Sequence, residues 1–579
     1  MFPSSPAARS FSLGLVALIG LAGCSTAPVA SPSFEVFVDD YFQSAYEFSP
    51  TNGVSQGFHE FDRAIEDLSA ASYERRMAVL DVQQIRLDTW RDRDLSPTQR
   101  IDAVMIDNAI KSELFQLRTL DTWHTNPMGY VGAPGSAADM MMKRDFAPKR
   151  ERLESLIVRL QGVPPMIAAM KANVRTAPKE FTDLSIRIAQ GSVAFFRESA
   201  LIWARDAAGR DRALLARFTV ANEAAAKALE DAVAWLRSDL LPRSTASFAI
   251  GTDNFVRQLQ IDEMVDIPLP RLLAIGEANL TRDHEAFVAT ARLIDASKTP
   301  AEVMSDLSSA HPTAQSLLPD TKKSIEGTRQ FLIDHHIVTV PTEVRPNVAE
   351  TPPYARAGSF ASMDTPGPYE RATEAYYYVT PPEADWDAKH VEEHLRAFNV
   401  YTTDIVTIHE VFPGHYLQFI YSQRFPTKTR KLLGAASNSE GWAHYTEQMM
   451  VDEGFGGGDP KVRLAQLSDA LLRDCRFVVG IKLHTEGWTV EQGAKLFADQ
   501  CYQEPANGYE EARRGAYNPT YLYYTLGKLQ IQKLRDDVRR AQGASFSLQQ
   551  FHDRFVTEGT LPIKLLRPIL LPGDSGPTL

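Results

Sequence analysis

Apolar residues recur every three to four positions through most of the chain, which is the periodicity of amphipathic helices. The clearest stretches are rich in Ala, Leu, Glu and Arg, which favour helix, and they cover residues 70–94, 150–170, 212–239 and 274–293. Residues 471–488 form a further, largely apolar helical stretch. No linker-like composition, low-complexity block or repeat interrupts the chain after residue 33. The pattern therefore predicts a mostly α-helical fold with a single large domain over residues 34–579.

Two short stretches depart from the helical pattern. Residues 337–341 and 375–380 are β-branched or aromatic, and proline ends each of them. They predict a small β-sheet just ahead of the helical segment that carries the metal motif described below. An exposed edge of this sheet could bind an extended peptide through main-chain hydrogen bonds. The alternative is that both strands are only structural.

The N-terminus has the pattern of a processing signal. Arg9 precedes an apolar run over residues 11–20, and Leu21-Ala22-Gly23-Cys24 follows. Small residues before a cysteine are typical of bacterial lipoproteins, so we expect a signal peptide over residues 1–23, a lipidated Cys24 and a flexible tether over residues 24–33. The alternative is an ordinary secretory signal. Because Ser25 and not aspartate follows the cysteine, the expected location is the outer membrane, facing the periplasm.

Composition narrows the possible partners. The net charge is −12 and basic residues are not clustered, which argues against nucleic acid and against an anionic membrane face. No second apolar run reaches the roughly 20 residues of a membrane span, so membrane contact is expected through the lipid alone. Cys475 and Cys501 either form one disulfide in an oxidising compartment or remain free, buried thiols.

A metal-binding motif occupies residues 409–415, which read His-Glu-Val-Phe-Pro-Gly-His, and a glutamate follows at position 440. Catalytic zinc sites commonly use three protein ligands, imidazole and carboxylate among them, and leave one position for water. We therefore predict one zinc ion per chain, held by His409, His415 and Glu440. Glu410 follows the first histidine, as the general base does in His-Glu-x-x-His peptidases. Another divalent ion in place of zinc remains open.

The spacing of the two histidines requires a break in the helix. Residues six apart lie about 240° around an ideal helix, so an unbroken helix would point His409 and His415 apart. Pro413 has no N–H to donate to the carbonyl of residue 409, and Gly414 tolerates unusual backbone angles. The Pro-Gly pair is therefore predicted to swing His415 back towards His409.

Other polar side chains fall near this motif on predicted helices or on the tyrosine-rich strand. His444 and Glu447 share a helical face with Glu440, and either could orient a ligand; His444 is also a rival third ligand. Arg473 and Arg476 would hold a carboxylate, from a protein glutamate or from the C-terminus of a substrate. The candidates for stabilising an oxyanion are Tyr517, Tyr524 and His484. Tyr377 is a further candidate for substrate contact or ligand positioning.

The chain resembles the bacterial family called domain of unknown function 885, whose members are often expected to be lipoproteins. The resemblance covers residues 50–62, 311–341, 376–382, 409–418, 440–447, 471–488 and 514–535. This family is similar to gluzincin-type zinc peptidases, in which two histidines and a glutamate come from neighbouring helices. Dipeptidyl peptidase III offers a parallel, since its motif also carries an insertion. The resemblance implies a helical body with a deep central cleft, and it does not specify a substrate.

Together these features predict a lipid-anchored zinc metallopeptidase that hydrolyses short peptides in the cell envelope. Metal-dependent hydrolysis of a non-peptide bond is one alternative, because water activation alone does not select a substrate. A non-catalytic lipoprotein that binds peptides or envelope partners is the other. The oligomeric state is not predicted.

Overall fold

The computed structural model describes residues 33–90, 93–356 and 359–579. The predicted signal peptide, the predicted lipidation site Cys24 and all of the predicted tether except Ser33 lie outside the described residues. Ser33 caps the first helix, because its side chain accepts a hydrogen bond from the backbone N–H of Val36.

The fold is mostly α-helical, as predicted. The first fifteen helices are α1 (Phe34–Phe48), α2 (Pro50–Ser55), α3 (Ala70–Asp88), α4 (Pro97–Leu114), α5 (Thr122–Thr125), α6 (Met128–Met142), α7 (Lys149–Gln161), α8 (Val163–Asn173), α9 (Lys179–Arg197), α10 (Ser199–Ala208), α11 (Arg212–Trp235), α12 (Thr252–Asp262), α13 (Leu269–Ile294), α14 (Pro300–Ser308) and α15 (Leu317–Asp334).

A small sheet separates these helices from the rest, which carry the metal motif. The later helices are α16 (Ala388–Ala397), α17 (Val400–Glu410), α18 (His415–Ile420), α19 (Lys428–Leu432), α20 (Ala436–Asp452), α21 (Pro460–Thr485), α22 (Val490–Cys501), α23 (Pro505–Tyr517), α24 (Tyr523–Gln542), α25 (Leu548–Thr557) and α26 (Ile563–Leu570). Short 3-10 and π-helical turns occur between several of them.

Three strands form the sheet, in the order β1 (Asn347–Glu350), β3 (Tyr376–Val379) and β2 (Ala361–Asp364). The central strand β3 pairs parallel to β1 and antiparallel to β2. Tyr377 of β3 is buried in the same hydrophobic core as Ile405 and Ile408 of α17. The sheet therefore lies near the metal motif, as predicted, and its central strand coincides with the predicted stretch 375–380.

The other predicted strand, residues 337–341, is wrong, since this segment is irregular in the structure. Its backbone bonds to side chains and to the end of α15, where the N–H of Ile337 donates to the carbonyl of Leu332, and not to a neighbouring strand. The carbonyl of Ile337 accepts from the His552 ring, the N–H of Thr339 donates to Asp553, and the carbonyl of Thr339 accepts from the Tyr421 hydroxyl. β-branched residues here reflect burial of Ile337 and Val338, because a side chain that fits a pleated sheet also fits a core.

The predicted helices all occur, with changed ends. Residues 70–94 shorten to α3, and residues 274–293 extend to α13. The stretch 150–170 divides into α7 and α8 at Gly162, because prolines at positions 164 and 165 suit the first turn of a new helix. The stretch 212–239 continues from α11 into a π-helical turn over Leu236–Leu240.

Two hydrophobic cores dominate the interior. One is built from residues of α1 to α11, between Phe34 and Leu240. The second surrounds α17, α18 and α20 and includes Phe412 and Trp442. A disulfide between Cys475 and Cys501 joins α21 to α22. The two cysteines are therefore paired and are not free thiols. Among the helices described, none combines the length and the apolar character needed to cross a membrane.

Candidate metal centre

The helix that carries His409 ends immediately after Glu410, and a new helix begins at His415. Between them the chain forms a wider turn than that of an α-helix. The N–H of Gly414 donates to the carbonyl of Ile408, six residues earlier, over 2.9 Å. The Phe412–Pro413 peptide bond is cis. His409 and His415 consequently face each other, with ring centroids 4.8 Å apart, as the Pro-Gly argument predicts.

Gly414 is required by close packing in this turn. A Cβ at this position would lie 1.7 Å from the carbonyl oxygen of His409 and 2.5 Å from that of Ile408. No side chain fits at those distances, and neither neighbour is a flexible group that can move aside. The turn that brings the two histidines together therefore depends on a residue without a side chain.

Three side chains converge to form a candidate metal-binding group: His409, His415 and Glu440 offer ligand atoms within 4.8 Å of one another. Oε2 of Glu440 lies 3.5 Å from Nε2 of His409 and 3.2 Å from Nε2 of His415. Ligands at tetrahedral angles around zinc lie about 3.4 Å apart, given bonds of about 2.1 Å. The donor types suit zinc, and the two separations from Glu440 are close to this value. The widest separation of the group, 4.8 Å, would shorten when an ion is bound, because two bonds of about 2.1 Å span at most about 4.2 Å.

Glu447 holds the ring of His409 in place through Nδ1, the ring nitrogen that is not proposed to bind the metal. Its Oε1 accepts from Nδ1 of His409 at 2.6 Å, and its Oε2 contacts Nδ1 of His444 at 3.1 Å. A carboxylate on Nδ1 orients the imidazole and leaves Nε2 for a metal, which is the usual partner arrangement of metal-binding histidines. His444 bonds to the other oxygen of Glu447 and lies outside the group of converging ligand atoms.

Charges on neighbouring side chains favour the ionised forms of Glu440 and His409. Burial opposes ionisation of Glu440, but His415 and His409 outweigh it and hold the pKa of this carboxyl well below its usual value. Burial likewise opposes protonation of His409, yet hydrogen bonds to Glu440 and Glu447 raise its pKa to about 10. A proton on His409 thus balances the two carboxylates, and a bound metal ion would take the place of that proton. The Glu440 side chain is 25% exposed, so the group is open on one side.

Glu410 sits beside the first ligand at the end of α17 and is 8% exposed. The phenol of Tyr377 is its neighbour from the sheet. Burial, and then the charge of Glu410, raise the pKa of Tyr377. The general-base candidate is therefore the chain neighbour of a proposed ligand, and Tyr377 stays protonated near it.

Tyr524 approaches the group from α24, with its ring centroid 6.2 Å from that of His409. Two glycines make this approach possible. Gly441 of α20 and Gly527 of α24 meet at the helix crossing, where a Cβ on Gly527 would lie 1.8 Å from the carbonyl oxygen of Ser437. Burial raises the pKa of Tyr524, so its hydroxyl remains protonated and can donate a hydrogen bond.

The other candidates are not among the three converging side chains. His484 is buried, its Nε2 contacts the carbonyl oxygen of Gly515 at 2.8 Å, and its Nδ1 accepts from the N–H of Ile250. Burial lowers its pKa to about 4. Both ring nitrogens are thus engaged by the backbone, away from the three ligands. Tyr517 ends α23. Arg476 forms a two-point ion pair with Glu511.

A cavity of about 630 Å³ lies beside the start of α20, and none of the three proposed ligands lines it. Tyr41 and Tyr46 of α1, Ser112 of α4, and Asp262 at the end of α12 contribute to its wall, as do Ala436 and Tyr523. Ala436 is one helical turn before Glu440 on α20, and Tyr523 adjoins Tyr524. The cavity therefore opens within one turn of a proposed metal ligand.

The sequence did not predict the contacts of two residues that support the site. Trp442 donates its indole N–H to the carbonyl of Pro413 over 2.9 Å, and Arg514 donates to the hydroxyl of Tyr524 over 3.0 Å. Both belong to segments that the sequence had marked, the Glu-Gly-Trp stretch after Glu440 and the tyrosine-rich stretch after Arg513. Their partners are distant in sequence, so no periodic pattern pointed to these contacts.

Comparison with solved structures yields two close matches in fold. A predicted lipoprotein of unknown function from Shewanella oneidensis is 26% identical, with a TM-score of 0.76, covering 93% of this chain and all of that one. A predicted lipoprotein from Colwellia psychrerythraea is 18% identical, with a TM-score of 0.76 and coverage of 93% and 99%. Among curated proteins, none matches the chain.

The match to a protein family covers most of the sequence, because residues 50–570 fit the family described as bacterial protein of unknown function. That span includes both halves of the metal motif and every helix that carries a proposed ligand. The chain therefore belongs to the bacterial family of unknown function DUF885.

Proposed function

We propose that this protein is a zinc-dependent peptidase that hydrolyses short peptides in the cell envelope. The observation that carries the proposal is the convergence of His409, His415 and Glu440, whose ligand atoms lie within 4.8 Å of one another, with Glu410 next to the first histidine in the chain. Zinc held by these residues would supply Lewis acidity, which lowers the pKa of a water molecule to about 7 and polarises a carbonyl group.

Glu410 has the role of general base in this proposal. It accepts a proton from the attacking water, the hydroxyl oxygen bonds to the acyl carbon, and the carbon–nitrogen bond breaks. Glu410 then returns the proton to the leaving nitrogen, so the products are a carboxylic acid and an amine. Its burial, at 8% exposed, shields the carboxylate from competing water.

Tyr524 is the proposed donor to the negative charge that develops on the acyl oxygen. Arg514 donates to the oxygen of its hydroxyl, which leaves the hydroxyl hydrogen available to the substrate. The three arginines around the ring also favour negative charge in this region. A positioned donor of this kind is worth about 10²- to 10³-fold in rate.

We assign the cavity lined by Ala436 and Tyr523 to the substrate, and its size then limits what can bind. Its volume of about 630 Å³ lies within the range of pockets that enclose small ligands, about 300–1,000 Å³. Aromatic walls from α1 suit apolar side chains, and Asp262 suits a basic group. Short peptides fit this space better than folded proteins do.

The location in the envelope rests on the N-terminal motif and on the related structures. Leu21-Ala22-Gly23-Cys24 has the order of a lipoprotein processing site, and the two similar proteins are described as predicted lipoproteins. We propose lipidation of Cys24 and an outer-membrane location facing the periplasm. Cys24→Ser should abolish labelling by radioactive palmitate and release the protein from membranes; membrane association unchanged by this substitution would contradict the anchor.

The peptidase proposal is tested with the protein lacking residues 1–24, a library of short peptides and a panel of esters. We expect zinc-dependent peptide hydrolysis, and Glu410→Gln should lower kcat by roughly 10²- to 10⁴-fold with zinc retained. Glu491→Gln, on the exposed start of α22, is the matched control. Hydrolysis of esters alone would indicate a different bond, and a Glu410→Gln variant as active as wild type would contradict the mechanism.

A further inference from the structure

Three arginines surround the ring of Tyr524. The guanidinium carbons of Arg473, Arg476 and Arg514 lie 6.0, 4.9 and 5.9 Å from the ring centroid. Such a concentration of positive charge next to a metal group needs compensation by anions, because buried like charges repel.

Two of these arginines are already paired with carboxylates. Arg473 forms ion pairs with Asp469 and Glu447, and Arg476 binds Glu511 through two hydrogen bonds of 2.7 and 2.8 Å. Both pairs fix the arginines as parts of the scaffold behind Tyr524. Neither guanidinium is available to hold a substrate.

Arg514 differs from its two neighbours. Its hydrogen bond goes to the hydroxyl of Tyr524 over 3.0 Å, and in the described part of the chain it forms no ion pair with a carboxylate. The side chain comes from the last turn of α23 and is only partly exposed. Its remaining N–H groups are thus free to bind an anion.

The position of Arg514 relates it to the metal group. Tyr524, its hydrogen-bond partner, has its ring 6.2 Å from that of His409. Arg514 bonds to the hydroxyl of this tyrosine over 3.0 Å, so a single side chain joins its guanidinium to the metal group. A short peptide bound at the three ligands can cover that span.

An arginine fork recognises a carboxylate through two parallel hydrogen bonds. In a short peptide the terminal carboxylate is separated from the last peptide bond by one residue, which spans about 3.5 Å when extended. We infer that Arg514 binds the C-terminal carboxylate of the substrate, and that the enzyme therefore hydrolyses the last peptide bond. This inference rests on the proposed peptidase function and specifies the end that is attacked.

The reaction would convert a peptide and water into a shortened peptide and one free amino acid. Hydroxide from the water joins the acyl carbon of the residue before the last one, and the proton that Glu410 carries completes the amine of the released amino acid. No oxidant, reductant or further co-reactant is needed.

The test compares a tripeptide that has a free C-terminus with the same tripeptide as its C-terminal amide. The wild-type protein should have a kcat/KM about 10- to 100-fold higher for the free acid, which is the value of a charge-assisted hydrogen bond. Arg514→Gln should remove the preference, so that acid and amide have equal kcat/KM; loss of its bond to Tyr524 lowers kcat for both peptides alike, and the ratio of the two isolates the contact with the carboxylate. Arg514→Lys, which keeps the charge without the fork, should recover part of the preference.

Arg513→Gln is the matched control. This residue is the sequence neighbour of Arg514, but its guanidinium pairs with Glu510, so the preference for the acid should persist. Equal zinc content in all variants would exclude an indirect effect on the metal group.

Equal hydrolysis of acid and amide by the wild-type protein, still dependent on Glu410, would overturn the role of Arg514 and leave the peptidase proposal standing. Hydrolysis of neither peptide would overturn the peptidase proposal. Calorimetric binding of the two tripeptides to the zinc-loaded Glu410→Gln protein then decides the role of Arg514 by itself. Tighter binding of the acid, lost in the Glu410→Gln, Arg514→Gln double variant, supports it, and equal binding of acid and amide overturns it.

Discussion

The indole N–H of Trp442 donates to the carbonyl oxygen of Pro413 over 2.9 Å. This bond joins α20, which carries Glu440, to the turn that positions His415. The indole is fully buried and stacks on Phe555, with ring centroids 5.0 Å apart. The two halves of the metal motif are therefore coupled through a contact that involves none of the proposed ligands.

Replacing Trp442 by phenylalanine should weaken both folding and metal binding. The ring packing is largely kept, but the buried carbonyl of Pro413 loses its donor, at a cost of about 1–3 kcal/mol in the free energy of unfolding. Zinc affinity should fall because the turn loses its tie to α20. Denaturant unfolding and a zinc titration measure the two effects, with Trp386→Phe, in the segment before α16, as the control. Unchanged stability and affinity would show that the bond has no structural role.

Gly414→Ala should abolish zinc binding. The added Cβ would lie 1.7 Å from the carbonyl oxygen of His409, so the turn must open and the two histidines separate. Gly327→Ala is the matched control, since a Cβ there meets no atom within 4 Å and alanine favours helix by about 1 kcal/mol. Circular dichroism separates a local change from global unfolding. A folded Gly414→Ala protein with normal zinc affinity would contradict the account of the turn.

Glu447→Gln should lower zinc affinity by roughly 10- to 100-fold, as loss of a histidine-orienting carboxylate usually does. The substitution replaces the carboxylate by a neutral amide. This removes the negative charge that lies next to Nδ1 of His409 and the guanidinium of Arg473. The exposed Glu453 at the end of α20 serves as control in a Glu453→Gln variant. Competition with a chromophoric chelator measures both affinities, and equal values would remove Glu447 from the positioning of His409.

Stability should depend on pH through His59, far from the metal group in sequence. Burial lowers its pKa, but Asp62 and Glu370 outweigh burial and raise it to about 9. Since the folded-state value exceeds the ordinary value of about 6.5, this contribution is complete below pH 6.5 and is lost as the pH rises through 9.

His59→Gln should remove that part of the pH dependence. The difference in unfolding free energy between wild type and variant should be largest below pH 6.5 and decrease towards pH 9. Denaturant titrations at several pH values measure it. A difference that stays constant from pH 6 to 9 would show that the two ion pairs do not stabilise the fold.

Local patterns predicted the helical class, the central strand and the grouping of His409 with His415, because helix periodicity and the Pro-Gly break act over a few residues. Tertiary partners decided the rest. Residues 337–341 have the composition of a strand, but His552 and Asp553 bind their backbone. Similarly, Arg514 stands out from Arg473 and Arg476 only when the carboxylates around all three are known. No sequence pattern within α21 or α23 reports those pairings.

The central claim is that His409, His415 and Glu440 hold a zinc ion, and metal content measured by mass spectrometry tests it most directly. The purified protein without residues 1–24 should contain one zinc per chain. His409→Ala should lose the metal, and Glu410→Gln should keep it, because the general base is not a ligand. A wild-type protein that contains no metal and takes up none when zinc is added would contradict the claim, as would a His409→Ala variant that retains its zinc.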